Sequence, residues 1–311
     1  MALTKPKILI NDIDRVTFHH KYLHPFIEQY FDIVTYLEGA DYLAQDYMIM
    51  THSGFNNTWY NGLVEQGAKL IYDAFWEYHV AAELTNQHAG SAFVASSKHY
   101  FWINEYYVHC QAGYNSYQPC RRPTHLALMP VRQSKPHRQQ LLTALDSQLD
   151  RILYSQVDQG KYLPNSQTRS FNDMDQRYFN PEWYDTTYFS IVSETTTYSK
   201  YSLHITEKTY KPMAYRHPFV IFGQTGTLAY LHKLGFETFE NLFDESYDTV
   251  EDQDSRLAMI VDNVKNFKET QYDAVTLAKL EHNYNLFYNA DLVKQLVLDD
   301  IVTPILEYAE T

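Results

Sequence analysis

The chain has 311 residues, more than one ordinary α/β domain needs and enough for two. Its 45% hydrophobic and 20% charged residues, without a low-complexity run, can bury two cores and exclude a disordered or fibrous chain. A net charge of −13 opposes non-specific affinity for polyanions, because nucleic-acid binding rests on Lys and Arg neutralising phosphates.

Lys7 leads directly into the apolar run Ile8-Leu9-Ile10. That run is far below the ~18 residues of a membrane span, so neither a signal peptide nor a transmembrane helix is expected. Cys110 and Cys120 read as reduced thiols rather than a disulfide framework or metal site, which fits a cytoplasmic setting. The 28 tyrosines pack core edges and can also build a stacking surface for a sugar or a base.

Residues 7–10 form a first strand, 11–14 the loop at its carboxyl end, and 22–31 an amphipathic helix. The βα rhythm continues with strands over 31–36, 47–51 and 68–72, each followed by polar or Gly-containing turns. Strands alternating with helical segments predict a parallel, doubly wound sheet, in which ligands sit at the carboxyl ends of strands. Asp12, His52 and Asp73 fall at such ends.

Residues 110–124 are turn formers without apolar periodicity and mark a domain boundary. A second series follows, with a strand over 125–129, a helix over 136–149 and a strand over 152–155. Next come a polar excursion over 158–186 and strands over 188–192 and 218–222. From Ser255 the pattern is helical, including 274–287 and 292–309.

Residues 188–236 place a strand before Ser193-Glu194, then a polar loop, Ile205-Thr206-Glu207-Lys208, a helical segment to Tyr215, and a strand from Pro218 closing on Gly223. This order resembles the donor-binding half of GT-B glycosyltransferases, in particular the α1,3-fucosyltransferases. Their pattern of an acidic residue, a loop, a Thr-Glu-Lys helix start and a Pro-Val-Val-like strand ending in Gly matches Glu194, Thr206, Glu207, Lys208, Pro218 and Gly223. The run from Pro212 to Val220 is similar to the Glu…Ala-x-Gly-x-Pro-Val-Val run of GT-B donor domains, with Arg216 and His217 replacing small residues. Residues 128–138 resemble the first strand and loop of the fucosyltransferase donor half, where an Arg after the strand reaches the diphosphate. Arg138 is the matching position. Residues 1–110 carry no specific motif.

The resemblance implies an α/β, GT-B-like chain: two Rossmann-like, doubly wound domains facing across a cleft, with C-terminal closing helices. The expected division is an acceptor domain over 1–120, a donor domain over 121–285 and a closing helix over 286–311. Physical chemistry supports the donor assignment independently. Thr206 is a suitable N-cap, and the helix it starts offers N–H groups and a positive dipole end to a diphosphate. Lys208 adds a full charge, Arg138 a fork shaped for phosphate, and Glu207 a carboxylate able to accept from a ribose diol. Pro212 is expected to break or kink this helix early.

The expected activity is metal-independent, inverting transfer from a GDP- or UDP-sugar to a hydroxyl of a glycan or small molecule. The transfer needs a base, for which Asp73 is preferred over Asp12, His52 and Glu77. Asp12-Ile13-Asp14 has the form of a metal-binding Asp-x-Asp, but directly after the first strand it reads as a solvated loop, and no His or Cys spacing suggests a metal. Two alternatives stand beside this reading. One is a phage-type DNA glycosyltransferase, supported by Arg121, Arg122, Arg132, Lys135 and Arg138 and opposed by the acidic total. The other is a non-catalytic nucleotide-sugar-binding protein.

Overall fold

A computed structural model describes residues 5–10, 26–35, 42–43, 46–52, 65–73, 92–94, 99–166, 180–198 and 203–311. By its internal contacts the chain divides into Met1–Val108 with Ala290–Thr311, and His109–Asn289.

The first unit holds five parallel strands: β1 (Lys7–Ile10), β2 (Asp32–Thr35), β3 (Met48–His52), β4 (Lys69–Asp73) and β5 (Ala92–Val94). Their spatial order is β2-β1-β3-β4-β5. The order reverses between β1 and β3, as in a doubly wound sheet. Ile8, Leu9, Met48, Leu70 and Ile71 are buried, which explains why these short runs are apolar. Helix α1 (Tyr100–Gln111) runs across the division between the units.

The second unit is built on β6 (His125–Met129), β7 (Ile152–Tyr154), β8 (Thr187–Ser193) and β9 (Phe219–Phe222). All four strands are parallel, in the order β7-β6-β8-β9. The reversal falls between β6 and β8, so the ends of these two strands frame the crevice where such a sheet takes its ligand. The flanking helices are α2 (Pro136–Ala144), α3 (Pro181–Asp185), α4 (Glu207–Ala214), α5 (Thr227–Lys233), α6 (Gln253–Asn266) and α7 (Ala274–Phe287). Helices α3 and α4 pack on β8, α6 on β9 and α2, and α7 on α4.

The helix expected over 136–149 ends at Ala144 and continues as a 3-10 turn over Asp146–Gln148. The single C-terminal helix expected over 292–309 is three segments: α8 (Ala290–Val297), a π-helical stretch (Leu298–Val302) and α9 (Thr303–Glu310). These segments group with the first unit. Lys69 of β4 donates to the carbonyls of Tyr308 and Ala309 at 2.8 and 3.2 Å, satisfying acceptors that the end of α9 leaves open. Among the described residues no helix is long and apolar enough to cross a membrane.

Candidate functional site

The second unit gathers its functional side chains at the carboxyl ends of β6 and β8. The loop after β6 is fixed from β7. Ser155 Oγ bonds both the N–H and the carbonyl of Val131 at 3.0 Å, and the Asp158 carboxylate accepts from Ser134 N and Oγ at 2.6 and 2.8 Å. This loop carries Arg132 and Lys135 and leads into α2, which brings His137 and Arg138 to the end of β8.

Arg138 is buried, at 4% exposure. Its guanidinium donates to the carbonyls of Gln133 (3.1 Å), Ser193 (3.4 Å) and Glu194 (3.1 Å). The sequence placed it at an open cleft as a phosphate fork. In the structure those N–H groups tie the loop after β6 to the end of β8, because carbonyls at a strand end also need donors. His137 Nε2 donates to the Glu194 carbonyl at 3.0 Å. Burial, with Arg138 and Lys135 nearby, pushes the His137 imidazole down to about 4, so the ring is neutral near pH 7.

Glu194 is also buried, and its carboxylate is fully engaged. One oxygen accepts from Thr206 N (3.0 Å) and Thr209 Oγ1 (2.6 Å). The other accepts from Thr206 Oγ1 (2.6 Å) and Thr195 N (3.1 Å). Thr206 occupies the N-cap position of α4, yet its hydroxyl does not cap the helix. Its hydroxyl donates to Glu194, and Thr206 Oγ1 accepts from Lys208 Nζ at 3.1 Å. The expected cap is therefore corrected: a carboxylate reaching from β8 anchors the start of α4.

Glu207 and Lys208 open α4, where backbone N–H groups lack intrahelical acceptors. Lys208 Nζ meets Glu207 Oε1 at 2.7 Å. Burial pushes the Glu207 carboxyl up, but Lys208 and Lys211 outweigh it and hold the group at about 2. Lys135 Nζ donates to the Thr195 carbonyl at 3.0 Å. Burial, then repulsion from Arg138 and Lys208, lowers its affinity for its proton. Two cations thus repel a third, Lys135, at one strand end of a chain whose net charge is −13.

Beside this cluster lies a cavity of about 170 Å³. Arg132, Glu207, Lys208 and Lys211 line it together with apolar and aromatic walls that include Trp183 and Tyr184. Lys211, Trp183 and Tyr184 were not singled out in the sequence. Lys211 stands one helical turn after Lys208 and was legible by that spacing. The two aromatics lie in the polar excursion over 158–186, where no periodicity marks them.

Gly223 ends the site on β9. A Cβ there would meet Glu194 Cγ, Ile221 Cγ2 and Thr227 Oγ1 at 3.4 Å, ordinary contacts, so the space does not demand glycine. Demand falls instead on Gly226, whose φ of +79° turns the chain into α5. The Asp248 carboxylate accepts from Leu228 N and Ala229 N at 3.0 and 3.1 Å, so this helix start already holds an anion of the protein's own. Arg216 also has a left-handed φ, +52°, at a position where the resembled run has a small residue. Pro212 lies within α4 rather than ending it, and the helix stops two residues later.

Of the expected bases, His52 and Asp73 are the last residues of β3 and β4 and pair in register. Their side chains, and the whole of Asp12 and Glu77, lie outside the described residues. Arg121 and Arg122 precede β6, whereas Arg132, Lys135 and Arg138 follow it. The basic stretch is thus split between opposite ends of a strand, and Arg121 lies 5.0 Å from the Tyr272 ring centre. Among the described residues no group of three or more His, Cys, Asp or Glu side chains is placed to hold a metal, and both cysteines are free thiols.

Comparison with protein-family models, with curated proteins and with solved structures finds no match to this chain in any of the three.

Proposed function

We propose that this protein is a GT-B-type glycosyltransferase that takes its sugar from a nucleoside diphosphate bound by the second unit. The observation that carries the reading is Lys135, repelled by both Arg138 and Lys208, beside a cavity at the switch point of a doubly wound sheet. A diphosphate there relieves that repulsion and meets the opening N–H groups of α4. Glu207, ionised and lining the same cavity, accepts from the ribose hydroxyls.

In the transfer, the acceptor hydroxyl oxygen attacks the anomeric carbon and the bond from that carbon to the β-phosphate oxygen breaks. The nucleoside diphosphate leaves with the electron pair, and a carboxylate or imidazole takes the acceptor's proton. Lys208 and Lys211 stabilise the charge that develops on the leaving group. Asp73 is the preferred base. The acceptor in this reading is a glycan or small molecule; the net charge of −13 and the separation of Arg121 and Arg122 from Arg132, Lys135 and Arg138 support that preference over DNA.

Calorimetric titration with nucleoside diphosphates, in buffer containing a chelator, tests the reading. Glu207→Ala should weaken a ribonucleotide about tenfold and narrow its advantage over the 2′-deoxy analogue. Failure of every nucleoside diphosphate to bind overturns the assignment.

A further inference from the structure

The cavity beside the cations has room for one six-membered ring. Its volume of about 170 Å³ is close to that of an apolar protein void of about 150 Å³ that admits benzene. Val131, Val157, Leu163 and Ile191 supply aliphatic wall, and Trp183 and Tyr184 supply aromatic wall. The apolar and aromatic part of this lining suits the faces of a flat heteroaromatic ring, and the polar side chains beside it suit the ring's edge and its ribose. Glu207, Lys208 and Lys211 all belong to α4, so a ring inserted beside them leaves its ribose and phosphates next to the carboxylate and the ammonium groups.

Ser190 adds a directional polar group to this lining. His217 Nε2 lies 3.0 Å from the Thr187 carbonyl, which only accepts, so that nitrogen carries the proton. Nδ1 is then an acceptor, and the Ser190 hydroxyl donates to it at 2.9 Å. Burial, reinforced by Arg121, pushes the His217 imidazole down to about 3 and keeps this arrangement fixed near neutral pH. With its proton committed to His217, Ser190 Oγ faces a ligand only as an acceptor.

We propose that the cavity receives the pyrimidine ring of a uridine or cytidine diphosphate in preference to a purine, with Ser190 Oγ accepting a base N–H. The inference rests on the nucleotide reading above. It differs from what the resemblance alone allows, which leaves guanine and uracil open.

Titration of the full chain with UDP, CDP, GDP, ADP and inorganic pyrophosphate tests it. UDP or CDP should bind at least about tenfold more tightly than either purine nucleotide. Ser190→Ala should weaken the preferred nucleotide about tenfold and leave pyrophosphate affinity unchanged, which also reports that the variant is folded. GDP or ADP binding as tightly as UDP and CDP refutes the ring assignment and leaves the nucleotide reading intact, and that comparison needs no variant. Binding of pyrophosphate alone, or of none of the five, overturns both.

Discussion

Removing the Glu194 carboxylate tests the anchoring of α4 directly. Glu194→Ala strands the Thr206 N–H, the Thr206 and Thr209 hydroxyls and the Thr195 N–H. Thr206 and Thr209 are fully buried, so water does not replace the lost acceptor at three of these four donors. A buried unsatisfied donor costs about 1–3 kcal/mol, and hydroxyls that rotate toward other acceptors fall at the low end, so the loss should be about 3–5 kcal/mol. That is a large share of the ~5–15 kcal/mol that stabilises a typical protein. Thr209→Val removes one donor and leaves the carboxylate three others, for about 1–2 kcal/mol. The double variant should cost less than the sum of the two, because both delete the same bond. Urea unfolding of the full chain gives the energies, and hydrogen exchange at the Thr206 amide reports whether the helix start has opened. A loss under about 1 kcal/mol for Glu194→Ala, or strict additivity, refutes the anchoring argument.

Arg138→Ala should lower stability by about 1–3 kcal/mol, because the carbonyls of Gln133, Ser193 and Glu194 lose the guanidinium, although Glu194 keeps His137 Nε2 and Gln133 keeps the Lys135 N–H, so any loss of nucleotide affinity accompanies a measurable fall in the unfolding midpoint. At Arg216, Ala should be less stable than Gly by about 1 kcal/mol, since both lose the Glu281 ion pair and only Ala keeps the strained left-handed φ; equal midpoints contradict this. His137 and His217 have folded values of about 4 and about 3, below the unfolded value of about 6.5, so the unfolded chain binds more protons beneath that value and stability falls with falling pH. Urea midpoints should therefore drop between about pH 6.5 and pH 4, less steeply in His217→Gln, and a flat profile in the parent refutes the neutral buried rings. Asp73→Asn should retain nucleotide affinity and lose turnover, and unchanged turnover moves the base to Asp12, His52 or Glu77.

The second sheet was legible because its strands are short, apolar on both faces and bounded by turn residues. The run His125–Met129 stands in the structure with the bounds read from sequence, as does helix Ala274–Phe287, which Asp273 caps through Thr276 N. Helix α1 was missed because its six opening residues, Tyr100 to Glu105, are buried without interruption, which erases the amphipathic stripe that marks a surface helix. Helix α5 was missed because its start depends on Gly226 and on Asp248, a residue from a later turn. Such a cap is tertiary, and no local window contains both partners.

The site shows the same limit in sharper form. Sequence reading assigns charged residues near strand ends to a ligand, but a charged side chain there has a competing use, because strand and helix ends also leave backbone groups unpaired. Arg138 and Glu194 are taken by that second use: one guanidinium serves three carbonyls, and one carboxylate serves four donors. Glu207 pairs with Lys208 and lies in the field of Lys211, Lys208 also donates to Thr206, and both Glu207 and Lys208 line the cavity. Residue type does not separate the two groups, since each contains one acid and one base. Burial separates them: Arg138 and Glu194 are 4% and 1% exposed, whereas the Lys208 and Glu207 side chains keep 25% and 12%. The residues that hold the frame therefore decide where α4 begins, and the residues that can meet a ligand are those which α4, once anchored, presents to the cavity.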